Sequence, residues 1–324
     1  MIITRTPYRC SLFGGGSDYP RWYKEHGGMV LTTTIAKYCY LSVRYMPAFL
    51  GYKYNACWSK MERVNSLKEI EHSGVRGCLQ YMGVDEGFEI NHAGDLPARS
   101  GLGSSSAFTV GMLHALHALQ GRHVSKDRLA REAIEVEQVV LKETVGIQDQ
   151  IECAHGGLNL IEIHRGGEYT LRPVIIPPAR KSALEGKLML FFTGLQRNSS
   201  QIADAQVSNI ERKEYELKAI QNLVPRALEA MTNGSLDCIG NLLHETWMLK
   251  RELSDKVSNN EIDGLYIAAR EAGAIGGKLL GAGGGGFFLF YVPEDRHASV
   301  REAMGGLHDI PFKIENGGSQ IVLS

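Results

Sequence analysis

The chain has 324 residues, of which 44% are hydrophobic and 22% are charged, and its formal net charge is -1. This length exceeds what one small hydrophobic core usually serves, so we expect two domains. The near-neutral charge gives no electrostatic reason to expect nucleic acid or an anionic membrane as a partner, although a local basic pocket would not show in the sum.

The six cysteines lie far apart and include no CxxC pair, which argues against a disulfide framework and against a structural zinc site. The first residues, MIITRTPYRC, lack the apolar core of a secretion signal. No apolar run approaches the roughly 18 residues that cross a bilayer. We therefore expect a soluble cytoplasmic protein without a membrane partner.

The first ninety residues favour strands and turns, because the segment MVLTTTIAKYCYLSVRYM is rich in β-branched and aromatic residues. At Ser104 the apolar period changes to that of a helix, which is predicted to end at Gly121. Ser125 or Asp127 is a candidate cap for a second helix through LAREAIEVEQVVLKE.

Strand patterns follow in GLNLIEIH and EYTLRPVII, and Pro177 and Pro178 mark a predicted linker. Beyond the linker the pattern predicts a strand and then helices over 201–233, 235–253 and 261–272. A glycine-rich segment, the strand FFLFYV, another helix and a strand complete the chain. The predicted fold class is α+β, with one domain over residues 1–180 and another over 181–324.

The segment PARSGLGSSSAF places three serines at the start of an apolar helix, directly after a glycine-rich turn. Gly101 and Gly103 allow a backbone to approach a ligand closely. A helix start carries unpaired N–H groups and the positive end of the dipole, which suits a phosphate group. A capped helix after a tight turn explains the same pattern. The sequence contains no GxxxxGK[ST] loop, so a Walker-type site is excluded.

A second glycine-rich segment, KLLGAGGGGFFLF, formally matches the GxGxxG fingerprint through Gly281, Gly283 and Gly286. A strand follows it where a dinucleotide-binding fold needs a helix, so that interpretation fails. Five glycines within six residues favour a flat backbone surface against which a ligand or another loop packs; a purely structural turn remains the alternative. Lys278, at its start, is either a phosphate ligand or an ordinary strand-end lysine.

A third segment, PYRCSLFGGGSDY, combines Arg9, a glycine turn and Asp18, and is weak when taken alone. In this order and spacing, the three segments together resemble the three signature motifs of the GHMP kinases, the family of galacto-, homoserine, mevalonate and phosphomevalonate kinases. The resemblance covers essentially the whole chain. It implies a ribosomal-protein-S5-like N-terminal domain, a ferredoxin-like C-terminal domain, and ATP with Mg²⁺ in the cleft between them.

The resemblance also implies roles for single residues. Asp149, in GIQDQ, matches the catalytic aspartate, and Arg9 matches the arginine that galactokinases place beside it. Ser105 and Glu137 match the magnesium ligands. The resemblance assigns the nucleotide phosphates to Gly101, Leu102, Gly103, Ser104, Ser105 and Ser106, and chain order suggests Trp58 and Lys60 for the adenine. Gly283 and Gly284, in the third motif, would support the substrate.

Phosphoryl transfer requires an acceptor oxygen in line with the γ-phosphate and stabilisation of charge on the equatorial oxygens. A carboxylate beside the acceptor hydroxyl takes its proton or orients it, and a neighbouring arginine favours the ionised carboxylate. Mg²⁺ needs few protein oxygens when phosphates complete its shell, so one hydroxyl and one carboxylate suffice.

The substrate segment departs from galactokinases, which read GEHTDY where this chain reads GGGSDY. Asp18 is retained, but Gly16 stands where galactokinases have a bulky histidine. This change disfavours galactose and leaves room for a larger, anionic sugar. GGGSDYP, DLPARSGLGSSSAFTVG and GIQDQ resemble the GHMP kinases that phosphorylate D-glycero-D-manno-heptose 7-phosphate at C1, on the route to GDP-heptose for surface polysaccharides. The distal phosphate would then need a basic residue, first Arg197, with Arg99 and Lys53 as alternatives.

Two other functions stay open. The chain could phosphorylate another sugar, such as fucose, because the motifs do not determine the number of carbon atoms in the sugar. It could also be a sugar- or nucleotide-binding regulator on the same scaffold. The presence of Asp149, Glu137 and Ser105 favours an enzyme, because a degenerate kinase commonly loses one of the three. The one protein partner that we consider is a second copy of the chain, in a homodimer.

Overall fold

A computed structural model of the chain describes residues 1–195 and 199–324. Its strands are β1 (Ile2–Phe13), β2 (Gly28–Tyr45), β3 (Tyr54–Cys57), β4 (Met61–Val64), β5 (Phe88–Gly94), β6 (Leu158–Ile163), β7 (Tyr169–Pro173), β8 (Leu188–Phe192), β9 (Gly276–Leu279), β10 (Phe287–Tyr291), β11 (His308–Ile310), β12 (Ile314–Glu315) and β13 (Gln320–Leu323). Its α-helices are α1 (Pro20–His26), α2 (Ser73–Tyr81), α3 (Ser104–Leu119), α4 (Lys126–Glu135), α5 (Gln148–His155), α6 (Pro178–Gly186), α7 (Ser199–Asn209), α8 (Glu214–Thr232), α9 (Asp237–Arg251), α10 (Asn260–Glu271) and α11 (His297–Ala303).

The first sheet has nine strands and is organised around the long strand β2. One edge of β2 pairs with β1 along most of its length, while the other pairs first with β6 and then with β5. Strands β3 and β4 extend the sheet beyond β5, and β13 extends it beyond β1. Arg9 within β1 thereby contacts the loop between β5 and α3, and the loop that follows β1 contacts the start of α5 through Asp18 and Gln148.

Helix α3 packs against β1 and β2 and is flanked by α2, α4 and α5. Its residues AFTVGMLHALHAL are apolar on almost every side, and most of them are fully buried. A helix that is apolar all round belongs inside a core rather than on a surface. The predicted helix after the GLGSSS turn is therefore confirmed, and Gly121 follows its end in a left-handed conformation (φ 68°).

The second sheet has four antiparallel strands in the order β11-β8-β10-β9. Numbered within this unit, the order is 4-1-3-2, and α11 connects its last two strands as in a ferredoxin-like fold. A separate apolar core beneath this sheet contains Trp247, Tyr266, Phe288 and Phe290. The predicted α+β fold class, with a ferredoxin-like second unit, is confirmed.

A small apolar cluster connects α1, near the N-terminus, to α8, one of the helices between β8 and β9. Trp22 of α1 is fully buried against Ile220 of α8, and its Nε1 donates a hydrogen bond to Gln221 at 3.0 Å. Burying an indole with its N–H paired contributes strongly to stability. This cluster holds the loop that precedes α1 near α8.

Several sequence predictions differ from the structure. The linker predicted at Pro177 and Pro178 is instead the start of a helix. Pro178 is the first residue of α6, a position at which the missing N–H of proline costs no hydrogen bond. The helix predicted over 201–233 is interrupted by a 3-10 turn at Ile210–Lys213. The helices α1 and α2 were not expected among the N-terminal strands, because each is short and amphipathic.

The end of the chain returns to the first sheet. β12 pairs with β2 and β13 pairs with β1, although residues 181–324 were expected to form the second domain as a block. The division near residue 180 stays a prediction, with residues 314–323 contributing strands to the first sheet. Among the residues that the structure describes, no helix combines the length and the apolar character needed to cross a membrane.

Two helical glycines give a matched test of packing. A Cβ at Gly240 in α9 would lie 2.6 Å from Cγ2 of Ile275, whereas a Cβ at Gly264 in α10 would meet no atom of the described residues within 4 Å. We expect Gly264→Ala to raise the free energy of unfolding by about 1 kcal/mol through helix propensity. We expect Gly240→Ala to lower it by about 1–3 kcal/mol through overpacking. Urea denaturation measures both, and equal shifts in the two variants would contradict the close approach of α9 to β9.

Candidate active site

The glycine turn before α3 exposes the start of a long buried helix. Gly101 and Gly103 both have left-handed backbones, with φ of 82° and 72°. Gly103 is the residue at the N-cap of α3, and having no side chain it cannot cap the helix. The first N–H groups of a helix have no acceptor within that helix. The turn therefore presents free donors and a positive dipole end to a phosphate group.

A bidentate ion pair lies beside this turn. Arg9 Nε and Nη2 donate to Oδ1 and Oδ2 of Asp149, each at 2.6 Å. Arg9 Nη1 donates to the carbonyl of Gly101 at 2.6 Å, and the Arg9 backbone N–H donates to the carbonyl of Leu102 at 3.0 Å. Burial opposes the charge of Arg9, but Asp149 outweighs it, so the pKa of the guanidinium is raised. The pairing of Arg9 with Asp149 thus fastens the glycine turn to β1 and α5.

The remaining contacts of Asp149 leave one oxygen open to a ligand. Gln148 Nε2 donates to Oδ1 of Asp149 at 3.2 Å, and Gln148 Oε1 accepts from the hydroxyl of Ser11 at 2.9 Å. Among the residues that the structure describes, Oδ1 has two donors, while Oδ2 has only Arg9 and keeps one acceptor position. The Asp149 side chain is 25% exposed, and a Cβ at Gly103 would lie 3.4 Å from Oδ2. A hydroxyl can therefore reach Oδ2 from the side of the glycine turn.

Asp18 is buried, and both of its carboxylate oxygens accept hydrogen bonds from backbone N–H groups. Its Oδ1 accepts from the N–H of Gly16 at 3.1 Å, and its Oδ2 accepts from the N–H of Gln148 at 3.4 Å. Burial and the nearby charge of Asp149 raise the pKa of the Asp18 carboxyl. A Cβ at Gly146 would overlap Oδ2 of Asp18, so the approach requires glycine there. Asp18 therefore orders the start of α5 as well as facing the site.

Glu137 is a buried carboxylate on the far side of the start of α3. It lies in a π-helical turn at Val136–Val140, and its Oε2 accepts from the hydroxyl of Ser106 at 2.9 Å and from Gln150 Nε2 at 2.5 Å. Burial and the charge of Glu143 raise its pKa to about 8. Within residues 1–195 and 199–324, Oε1 of Glu137 has no hydrogen-bond partner.

The predicted magnesium pair is only partly brought together. The hydroxyl that contacts Glu137 belongs to Ser106, because one residue along a helix turns the side chain by about 100°. Ser105 is exposed at the mouth of the turn. No group of three His, Cys, Asp or Glu side chains suited to a metal ion occurs in the described part of the chain. An unpartnered carboxylate oxygen and two serine hydroxyls nevertheless fit a magnesium ion that phosphates also hold.

The glycine-rich segment after β9 packs directly on the glycine turn before α3. A Cβ at Gly281 would lie 2.5 Å from Cα of Gly101, and a Cβ at Gly286 would lie 2.3 Å from the carbonyl oxygen of Ser100. Gly283 and Gly284 instead approach Val257, whose carbonyl accepts the N–H of Gly284 at 2.8 Å. The backbone N–H of Gly284 is thus already paired, which removes it as a donor to substrate.

The predicted basic residues are spread over different places. Lys278 is buried and donates to the carbonyl of Leu12 at 3.0 Å. Lys53 pairs with Asp85 at 2.7 Å beside a separate surface groove, and Arg99 is exposed within the glycine turn. Arg197 lies outside the described residues.

The predicted adenine residues are adjacent to each other. Trp58 is half-buried and its Nε1 donates to Glu62 at 2.6 Å. Lys60 is exposed, pairs with Glu71 at 2.7 Å, and its Nζ lies 5.9 Å from the centre of the Trp58 ring. The edge of Trp58 meets the ring of His72, which stacks on Phe108 of α3. An aromatic path therefore connects Trp58 to the first turns of α3.

The sequence interpretation missed two residues that organise the site, Gln148 and Lys250, and it assigned Ser106 to the phosphates without its contact to Glu137. Ser106 and Gln148 were visible inside the motifs, but only the fold shows which carboxylate each one contacts. Lys250, a buried lysine of α9 whose Nζ donates to the carbonyls of Leu279 and Gly281, carries no motif signal at all. A lysine in an amphipathic helix ordinarily indicates a solvated face.

Two family models match the chain. The family model of the GHMP kinase N-terminal domain matches residues 66–157, and that of the GHMP kinase C-terminal domain matches residues 227–307. The two models together match more than half of the chain. The first includes the glycine turn, Glu137 and Asp149, and the second includes the glycine-rich segment after β9.

Relatives of several activities are similar over most of the chain. The D-glycero-alpha-D-manno-heptose 7-phosphate kinase of Campylobacter jejuni is 27% identical, with 97% of both chains covered. The galactokinase of Pyrococcus furiosus is 26% identical, with 94% of this chain and 92% of the relative covered. The bifunctional fucokinase/GDP-fucose pyrophosphorylase of Arabidopsis thaliana is 28% identical over 75% of this chain and 24% of its own length.

Solved structures show the same fold. A structure described as a D-glycero-D-manno-heptose 1-phosphate kinase from Bacteroides thetaiotaomicron superposes with a TM-score of 0.82 at 23% identity, covering 100% of this chain and 99% of its own. The galactokinase of Lactococcus lactis, complexed with galactose, superposes with a TM-score of 0.77 at 19% identity, covering 98% and 94%. By its matched domains, its motifs and its fold, this chain belongs to the GHMP kinases.

Proposed function

We propose that the protein transfers the γ-phosphoryl group of ATP to the anomeric C1 hydroxyl of D-glycero-D-manno-heptose 7-phosphate, giving the 1,7-bisphosphate. The observation that carries this proposal is the Arg9–Asp149 pair, which leaves one carboxylate oxygen open beside the uncapped start of α3. A proton acceptor and a phosphate site therefore lie next to each other, as phosphoryl transfer to a hydroxyl requires.

In this reaction Asp149 handles the acceptor hydroxyl. Oδ2 accepts its hydrogen bond, which aims the oxygen at the phosphoryl group and receives the proton as the new bond forms. Arg9 fixes the plane of the Asp149 carboxylate through two parallel hydrogen bonds. Gln148 occupies the other oxygen, so that the acceptor hydroxyl has one position to take.

The nucleotide phosphates are proposed to bind at the glycine turn and the first turn of α3, with the adenine toward Trp58. Residues 101–106 offer backbone N–H groups, and Gly101 and Gly103 allow the backbone to approach the phosphates. The exposed Ser105 and the carboxylate of Glu137 would hold Mg²⁺, with Ser106 and Gln150 orienting that carboxylate. The ion would neutralise charge that develops on the transferred phosphoryl group.

The heptose 7-phosphate is proposed from the substrate segment and from the relatives together. Gly15 and Gly16 replace the charged and bulky pair of galactokinases beside Asp18, which makes room for a longer sugar. The similarity to the Campylobacter enzyme over nearly the full length of both chains supports the same substrate. The basic residue for the 7-phosphate is proposed to be Arg197.

A panel of sugars tests the substrate directly. ATP consumption with Mg²⁺ would be measured with D-glycero-D-manno-heptose 7-phosphate, the corresponding 1-phosphate, sedoheptulose 7-phosphate, mannose 6-phosphate, mannose, L-fucose and galactose. We expect turnover confined to the aldoheptose 7-phosphate, because C1 must be free and the distal phosphate must be held. Turnover on L-fucose or another unphosphorylated sugar would keep a sugar kinase and reject the anionic substrate.

Replacing the carboxylate of Asp149 should strongly lower kcat without unfolding the protein. We expect Asp149→Asn to lower kcat at least about 100-fold, because the amide keeps the shape but cannot accept the proton. Asp85→Asn is the matched control, since Asp85 is a fully exposed carboxylate paired with Lys53. Thermal melting would verify that both variants fold. Near-wild-type turnover in Asp149→Asn would remove Asp149 from the mechanism.

The magnesium role of Glu137 can be separated from the effect of its burial. Glu152 is also fully buried, its pKa is also raised to about 8 by burial, and it accepts hydrogen bonds from the amide of Asn159. We expect Glu137→Gln to raise the Mg²⁺ concentration for half-maximal turnover by on the order of tenfold, because a neutral amide is a poorer ligand for this hard cation than a carboxylate. Glu152→Gln should leave it unchanged. An equal change in both variants would indicate a structural role for Glu137.

A further inference from the structure

Lys250 is a buried lysine in the last turn of α9 to which the proposed reaction gives no role. Its Nζ donates to the carbonyl of Leu279 at 2.8 Å and to the carbonyl of Gly281 at 2.5 Å. Only 9% of the residue is exposed. One amine thus holds both ends of the bend where the chain leaves β9 and enters the glycine-rich segment.

These two carbonyls lie where the β-ladder stops. Leu280 closes the base of the glycine-rich segment by donating its N–H to Phe287 at 2.8 Å. A buried carbonyl without a donor is destabilising, so the bend needs the amine that α9 supplies. Farther along, the segment also contacts Gln206 at Ala282, Val257 at Gly284, and Thr193 and Leu195 at Gly286.

The bend held by Lys250 touches the phosphate-binding turn. The backbone of Gly281 lies against Cα of Gly101, and a Cβ at Gly101 would in turn lie 2.7 Å from the carbonyl oxygen of Leu280. The carbonyl of Gly101 accepts from Arg9. Two backbone contacts therefore connect the amine of Lys250 to the guanidinium that fixes Asp149.

The surroundings of Lys250 are unfavourable for a charge. Burial lowers its pKa well below the usual value, and the positive charges of Lys278 and Arg9 lower it further. A neutral amine still has two N–H groups, which equals the number of carbonyls to be paired. The contacts with Leu279 and Gly281 therefore persist in either protonation state, and they, rather than charge, explain a lysine at this position.

We propose that Lys250 is a positioning residue for the nucleotide: by fixing the carbonyls of Leu279 and Gly281 it holds the glycine-rich segment against Gly101. That contact keeps the phosphate-binding turn in its left-handed conformation beside Arg9. The inference rests on the proposed use of ATP. Loss of the amine should therefore weaken nucleotide binding while the sugar site, which lies toward Asp18, is left intact.

Isothermal titration of the full chain with ATP and magnesium chloride, without sugar, tests this role. We expect Lys250→Met to raise the Kd for ATP by on the order of tenfold, because methionine fills the space but cannot pair the carbonyls. Lys218→Met is the control, since Lys218 is an exposed lysine paired with Glu214. In steady-state kinetics the KM for ATP should rise in Lys250→Met while the KM for the sugar stays within about threefold.

Gly281→Ala and Gly121→Ala provide a second comparison, which holds even if Lys250→Met does not fold. Both glycines have left-handed backbones, with φ of 66° and 68°, but a Cβ at Gly121 would meet no described residue within 4 Å. Gly281→Ala should reproduce the loss of ATP affinity, and Gly121→Ala should only lower stability. Unchanged ATP affinity in Lys250→Met or Gly281→Ala would overturn the positioning role. Failure of the unaltered protein to bind ATP would instead refute the proposed function first, and the positioning role with it.

Discussion

The guanidinium of Arg9 makes hydrogen bonds to Asp149 with two nitrogens and to the carbonyl of Gly101 with the third. The planar fork of arginine can bind all of these oxygens at once, which a lysine amine cannot do with the same fixed geometry. The three partners come from β1, from the turn before α3 and from α5. Because a buried guanidinium without its carboxylate is strongly destabilising, the folded state keeps these segments together.

A second constraint acts between the two sheets. The glycine turn of the first unit and the glycine-rich segment of the second approach so closely that neither Gly101 nor Gly281 has room for a Cβ. Fixing these glycines costs more conformational entropy than fixing any other residue type. The effect of the contact here is that a loop belonging to one unit shapes the glycine turn of the other.

The sequence predicted those parts of the site that depend on local pattern. Helix α3, the glycine turn before it and the strand after the second glycine-rich segment follow from periodicity and turn chemistry, and are confirmed. The pairing of Arg9 with Asp149 was expected only from the family resemblance, since 140 residues separate them. The contact of Glu137 with Ser106 was not foreseen, because the π-helical turn shifts the helical phase by one residue. Lys250 was missed because its burial is decided by how α9 packs on β9, which is a tertiary property.

The return of β13 to the first sheet affects how the protein is made. Ile3 of β1 pairs with Leu323 of β13, so these neighbours are separated by nearly the whole chain and by the entire second sheet. Contacts of such long sequence separation form late, after the loop entropy between them has been overcome. During synthesis on the ribosome, the edge of β1 that later pairs with β13 therefore remains unpaired while the ferredoxin-like unit emerges and folds. The interval in which that bare edge can pair with another nascent chain is set by the time needed to synthesise the second unit.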